Sequence, residues 1–165
     1  MSVERCGECG FDSDDWSNAR AIAAIQQLPF QWNTAVAGLI PRDQLRRPIH
    51  QMWSIAEYTD HVREVLFGMR FLLDTAISQP GTDLGQSPPS QFASQPRQID
   101  VQVALDGIDR EALSLSQQLS ELSADDWYLT VTFDRAPVDP HWIVRHSVHD
   151  ATHHLLDIER PRSAH

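Results

Sequence analysis

The sequence predicts an all-α fold, an antiparallel four-helix bundle, and three observations carry that prediction. Four long segments repeat apolar residues at helical spacing, helix-start and helix-stop residues fall at the ends of those segments, and convincing strand alternation is scarce. One long stretch rich in proline and glycine separates the second segment from the third, so the bundle contains a long crossover loop between helices 2 and 3.

The first helix is expected from about Asp14 to Leu39. Trp16, Ala19, Ala23, Ile25, Leu28, Trp32, Val36 and Leu39 form its stripe, Pro29 predicts a kink or break, and Pro41 ends it. The second opens at Ser54, whose hydroxyl can cap the helix while Glu57 reaches back in a capping box, and it runs to about Ser78. Its stripe is Ile55, Tyr58, Val62, Val65, Met69, Leu72 and Ala76. Residues 79–97, QPGTDLGQSPPSQFASQPR, hold four prolines and two glycines without an apolar face and form the crossover. The third helix spans about Asp100 to Leu122, with Val101, Ala104, Leu105, Ile108, Ala112, Leu115 and Leu119 on one side. WYLTVTF (127–133) reads as a short extended piece before a turn in APVDP, and the fourth helix starts near Pro140, where the missing N–H is not needed.

A chain of 165 residues is one domain's worth, long enough to bury a core without staples. The expected organisation is an N-terminal CxxC segment (1–13), a single bundle domain (14–160) and a tail (161–165). Thirteen Lys and Arg against 23 Asp and Glu give a net charge of −10, which repels nucleic acid and anionic membrane. No stretch approaches the roughly 20 apolar residues of a membrane span, and MSVERCGECG lacks the layout of a signal peptide. The expectation is a cytoplasmic protein acting on a small-molecule substrate.

The run HSVHDATHHLLDI (146–158) carries four histidines and two aspartates along a helix whose apolar stripe is Val144, Val148, Ala151, Leu155 and Ile158. With about 100° per residue, His154 falls roughly 80° and Asp150 roughly 120° to one side of that stripe, whereas His149 and His153 lie near the opposite face. Asp150 and His154 are one turn apart, so a single ion can reach both. On the second helix His61 lies between Tyr58 and Val65 at the edge of the stripe and can face the same cavity. One histidine from a second helix with an i, i+4 carboxylate and histidine makes three ligands and an open position, the arrangement of a catalytic divalent metal. Asp157 can orient His154 through its other ring nitrogen. The plain alternative is a set of solvated, hydrogen-bonded polar residues at helix edges with no ion.

WSIAEYTDHVREVL (53–66), followed far downstream by HDATHHLLDI (149–158), resembles the DinB-like superfamily of metal-binding four-helix bundles, relatives of bacillithiol S-transferases and mycothiol-dependent maleylpyruvate isomerases. The resemblance covers about residues 16–158. It implies a ligand histidine in the second helix after a tryptophan-led motif, which His61 after Trp53 matches. It also implies an i, i+4 pair in the last helix, histidine or glutamate first and histidine second, commonly with Gln, His or Asp three residues on; His154 and Asp157 match the end of that pattern. Asp150 departs from it, and an alternative register, His149 with His153, stays open beside His61, Asp150 and His154. The resemblance further implies a divalent ion, Zn²⁺ or Ni²⁺ foremost and Fe²⁺ or Mn²⁺ as well suited to mixed N and O ligands, and it suggests a homodimer.

The second motif, CGECG, places Cys6 and Cys9 as half of a zinc knuckle or as a redox pair. A closed zinc site needs four ligands and the sequence has no second cysteine pair, so Asp12 or a partner chain would have to complete it. The βαβ context of a thioredoxin-like pair is absent, and a reduced turn shaped by its glycines is the plain reading. The five tryptophans, Trp16, Trp32, Trp53, Trp127 and Trp142, read as packing, with Trp53 placed to flank a site; Arg63, Arg70 and Arg145 read as solvated charge that can also receive a substrate carboxylate.

Three functions are compatible with these residues. The resemblance implies first a metal-dependent transferase or isomerase using a low-molecular-weight thiol; an open metal position also suits metal-assisted hydrolysis, the alternative; and a non-catalytic bundle that binds metal or a partner is the third.

Overall fold

A computed structural model of the chain describes residues 3–49, 52–86 and 97–163. Helices account for most of it: α1 (Asn18–Val36), the short α2 (Pro41–Leu45), α3 (Ile55–Ser78), α4 (Val101–Glu121) and α5 (Pro140–Ser163), with a two-stranded antiparallel hairpin, β1 (Val131–Phe133) and β2 (Ala136–Val138), before α5. The four long helices make the expected bundle.

Helix boundaries follow the capping chemistry. Ser17 caps α1 by accepting from the Arg20 N–H at 3.2 Å, and residues 13–15 form a separate 3-10 turn, so the helix starts later than the apolar pattern suggests. Pro29 lies inside an unbroken α1, and the helix ends at Val36 just before Gly38, which adopts φ +75°. The buried face of α1 is Ala21, Ile25, Leu28, Trp32 and Val36; Ala19 and Ala23 are exposed. The predicted capping box is present, with the Glu57 N–H donating to Ser54 Oγ at 3.2 Å and the Ser54 N–H to Glu57 Oε2 at 2.9 Å. Asp100 caps α4 by accepting from the N–H groups of Gln102 and Val103 at 3.0 and 3.2 Å. Asp100→Ala is expected to cost about 1 kcal/mol, read as a lower urea midpoint at unchanged slope.

The main helix contacts are α3–α4, α1–α4, α3–α5 and α1–α5, so α1/α3 and α4/α5 lie across the diagonals. Cross-helix pairs give the directions. Arg70–Glu111 and Asp74–Gln118 advance together, so α3 and α4 are parallel; His61–Asp150 and Tyr58–His154 advance oppositely, so α3 and α5 are antiparallel. Asn18 meets His141 at one end of α1 and α5, while Phe30 and Thr34 share a cavity wall with Leu155 and Glu159 near the other, so that pair is parallel. The bundle therefore runs up, down, down, up. Its antiparallel contacts are α3–α5 and α1–α4, and the parallel step from α3 to α4 is why a long crossover is needed.

Within the crossover, residues 79–86 are described and 87–96 lie outside the described residues. The Gly81 and Leu84 N–H groups donate to the carbonyls of Thr130 and Thr132, and the Thr132 N–H donates to Thr82, so the start of the crossover lines the edge of β1. The turn expected in APVDP is instead β2. Its chain reversal falls earlier, at Asp134 and Arg135, both in the left-handed region (φ 49° and 66°), as a two-residue hairpin turn requires. Neither residue is Asn or Gly, which is why the turn was not legible. The fourth helix does begin at Pro140, capped by Asp139, which accepts from the Trp142 N–H at 2.8 Å. It continues to Ser163, past the expected boundary at 160.

The core is one cluster drawn from the four helices, with Trp32, Ile25, Leu28, Leu66, Ile108, Leu115 and Ile143 fully buried. Phe11, from the N-terminal segment, is buried with it. Among the described residues no helix is long and apolar enough to cross a membrane.

Candidate metal centre

The antiparallel crossing of α3 and α5 brings His61, Asp150 and His154 together, with one donor atom from each lying within 4.8 Å of the others. His61 Nε2 is 3.5 Å from Asp150 Oδ1, and His154 Nε2 is 3.9 Å from Asp150 Oδ2. Those separations are long for hydrogen bonds but ordinary for two ligands of one ion held at about 2.0–2.2 Å from each. Asp150 Oδ1 is buried and has no hydrogen-bond partner. A buried carboxylate oxygen that no protein donor satisfies, facing two imidazoles, makes a donor set that fits a divalent ion.

The protonation states agree with that fit. Burial opposes the charge on Asp150, but His61 and His154 outweigh it and hold the carboxyl below its ordinary range. Burial pushes His154 down, against the pull of Asp150 and Asp157, so the imidazole is neutral near pH 7. Asp157 Oδ2 lies 2.9 Å from His154 Nδ1, which places the ring proton there and turns Nε2, as a lone pair, toward Asp150 and His61. Trp53 flanks the set, its ring centroid 5.0 Å from that of His61 and 6.2 Å from that of His154, and Tyr58 lies 5.0 Å from His154.

One side of the set opens into a cleft of about 420 Å³ whose walls include His61, Asp150, Met69, Phe133, Trp142 and His146. The β1–β2 hairpin forms one side of it, which is the contribution of the APV strand to the site. No Lys or Arg is among the described lining residues. The arginines considered as carboxylate receivers are used elsewhere: Arg63 pairs with Asp60, Arg70 with Glu111, and Arg145 donates to the carbonyls of Ser13, Trp16 and His141.

His146 and Glu4 were not singled out by the sequence. His146 stacks on Trp142 (centroids 4.4 Å apart), and its Nδ1 is 2.9 Å from Glu4 Oε1. Glu4 also meets His149 Nδ1 at 2.6 Å. Burial raises the Glu4 pKa, but the two histidines win and keep it low. The i, i+4 spacing from His146 to Asp150 was the available signal; the pairing with a residue 142 positions away was not.

The alternative register does not enter this cleft. His149 and His153 lie on the other side of α5, as the helical geometry predicted, but that side is covered by the N-terminal segment and not by solvent. There they meet Cys6 and Cys9, with donor atoms from all four residues within 4.8 Å of one another. The thiols are free, Asp12 is engaged by Arg5 at 2.8 Å, and no partner chain is required to complete four ligands. The amides of Cys9 and Glu8 together with His149 bring the Cys6 thiol down to about 6.

A model of the DinB superfamily matches residues 24–158. The chain belongs to the DinB superfamily. Among solved structures, YfiT from Bacillus subtilis, described as a probable metal-dependent hydrolase with an unusual four-helix bundle topology, superposes with a TM-score of 0.78 over 89% of this chain and 86% of that one. The two are 10% identical, so the likeness is one of fold. No curated protein matches. The superfamily match begins after Cys6 and Cys9 and contains all the histidines and aspartates of α5 discussed above.

Proposed function

We propose that this DinB superfamily member is a divalent-metal-dependent enzyme using His61, Asp150 and His154 as ligands, and that it delivers an activated water to a small, uncharged, largely apolar substrate in the adjoining cleft. The observation that carries the reading is the position of the three donors: their open side faces a walled cleft instead of bulk solvent, and that cleft has no cation among its described lining residues. A divalent ion held by these three residues would supply Lewis acidity and lower the pKa of a bound nucleophile. Asp157 keeps His154 in the tautomer that presents Nε2. Glu4, by accepting from His146 Nδ1, leaves His146 Nε2 as a basic nitrogen in the cleft wall that can take a proton from the nucleophile. Met69, Phe133 and Trp142 bury the apolar part of the substrate and exclude bulk water.

YfiT's description as a hydrolase favours water as the nucleophile. The second reading, a low-molecular-weight thiol added to an electrophile in a transferase or isomerase, rests on the resemblance to thiol-dependent superfamily members. The lack of Lys and Arg among the described lining residues weighs against thiols whose recognition needs a partner for carboxylates, such as glutathione and bacillithiol, and less against mycothiol. Metal-loaded protein should be assayed against uncharged esters and amides, with thiol and electrophile pairs in parallel. Ion-dependent ester or amide turnover supports the first reading, thiol consumption alone transfers support to the second, and tight ion binding with neither leaves a binding protein. Asp157→Asn should weaken ion binding in the cleft about 10- to 100-fold with little change in helicity, measured by competition with a chromophoric chelator.

A further inference from the structure

The N-terminal segment folds back over the outer side of α5. An antiparallel bridge between Arg5 and Asp12 closes a loop in which the Cys6 N–H donates to the Phe11 carbonyl and the Gly10 N–H to the Cys6 carbonyl, both at 2.9 Å; Gly10 adopts φ +73° to complete the turn. The amides of Glu8 and Cys9 face the Cys6 sulfur and the Phe11 amide faces the Cys9 sulfur, whose thiol is nonetheless pushed up by burial and by the neighbouring Cys6. Opposite them, one turn apart on α5, are His149 and His153.

We propose that Cys6, Cys9, His149 and His153 form a closed Cys2His2 zinc site that fastens the N-terminal segment to α5, separate from the open site in the cleft and independent of what reaction occurs there. The spacing is that of a structural zinc site, a Cys-x2-Cys turn with a His-x3-His pair on a helix. Tetrahedral zinc bonds of about 2.0–2.3 Å set ligand atoms about 3.3–3.8 Å apart. Cys6 Sγ and His153 Nδ1 are 3.6 Å apart. His149 Nδ1 is engaged by Glu4 at 2.6 Å, leaving Nε2, which is buried and has no hydrogen-bond partner, to face the sulfurs. The far nitrogen of His153, Nε2, lies 3.6 Å from Asp157, so both imidazoles have a carboxylate behind them, as zinc-bound histidines commonly do. Phe11, stacked on His149 with centroids 4.6 Å apart and buried in the core, anchors the turn against α5. On binding, both sulfurs coordinate as thiolates, any proton still carried by a sulfur or by a coordinating imidazole nitrogen goes to solvent, and the two thiolates neutralise the dication, so no net charge is buried.

The two registers of the HDATHH run are thereby not competitors. Residues 149 and 153 serve one side of α5 and residues 150 and 154 the other, and Asp157 stands behind one histidine of each pair, His153 at 3.6 Å and His154 at 2.9 Å.

The test uses the full chain. Zinc should be counted in His61→Ala protein, where the cleft set is broken, and one zinc per chain should remain; Cys9→Ser in that background should remove it. Cobalt loaded in place of zinc should give a sulfur-to-cobalt charge-transfer band that His61→Ala keeps and Cys9→Ser loses. If Cys9→Ser fails to fold, unmodified protein still decides: alkylation of Cys6 and Cys9, read by mass spectrometry, should speed up at least about tenfold when a chelator is added. Equal labelling with and without chelator, or a Cys6–Cys9 disulfide in zinc-free protein as isolated, overturns the proposal.

Discussion

His61→Ala is expected to empty the cleft site and abolish every ion-dependent turnover, with far-UV circular dichroism unchanged. His61 supplies the one ligand from α3; the other two come from α5. Without it the ion would be held by a single helix through Asp150 and His154, an incomplete set with no second wall. The loss of affinity should exceed the roughly 10- to 100-fold that changes behind a ligand produce. The fold should hold because His61 is partly exposed, with some stability lost at neutral pH because its imidazole, 3.5 Å from Asp150 Oδ1, helps keep that buried carboxylate ionised. His153→Ala is the matched control. It lies next to His154 in sequence but faces the cysteines, so it should leave the cleft ion bound while loosening the N-terminal segment. Turnover that survives His61→Ala but not His153→Ala would move the chemistry to the other side of α5.

That control shows how far the sequence could be read. Helical arithmetic placed Asp150 and His154 beside the core stripe and His149 and His153 opposite it, and the structure has them so. What arithmetic on one helix cannot supply is the identity of whatever covers its outer face. Cys6 and Cys9 looked two ligands short because their complements lie 140 or more residues away, brought near only by the return of the N-terminal segment. Glu4 and His146 were missed for the same reason. Local signals served better where the chemistry is local: the box at Ser54 and Glu57, Asp157 behind His154, and Pro140 at a helix start are all contacts within a turn or so. Helix direction was not local. The parallel pairing of α3 with α4 follows from which faces carry Arg70, Glu111, Asp74 and Gln118, and a list of apolar stripes does not order them.

Glu57→Ala should be among the most destabilising single changes outside the apolar core, about 3–5 kcal/mol at neutral pH by urea denaturation. Glu57 is only 3% exposed and its carboxylate gathers three separate parts of the chain: Arg47 Nε at 2.8 Å, the Ser54 N–H and hydroxyl at 2.9 Å each, and the Arg97 N–H at 3.3 Å. Removing it deletes the side-chain half of the capping box, leaving only the residue-57 N–H donating to Ser54 Oγ, and takes away the carboxylate that the half-buried Arg47 guanidinium faces. Burial alone would raise the Glu57 pKa, but Arg47 and the donors of Ser54 and Arg97 prevail and take it from 4.5 to about 2. A folded pKa below the unfolded one contributes stability that is complete above the unfolded value and is lost as pH falls toward the folded one. The contribution, about 3 kcal/mol, should therefore be present above about pH 4.5 and disappear between there and about pH 2. Wild-type stability should fall through that window by more than that of Glu57→Ala, so the two urea midpoints should converge in acid; a gap that stays constant from pH 7 to pH 3 would assign the loss to packing instead. The consequence reaches the metal centre, because the cap fixes the start of α3 and the next residues along it are Tyr58 and His61. Even where Glu57→Ala remains folded, ion affinity in the cleft should drop, and adding back the divalent ion should recover part of the lost stability by binding the folded state.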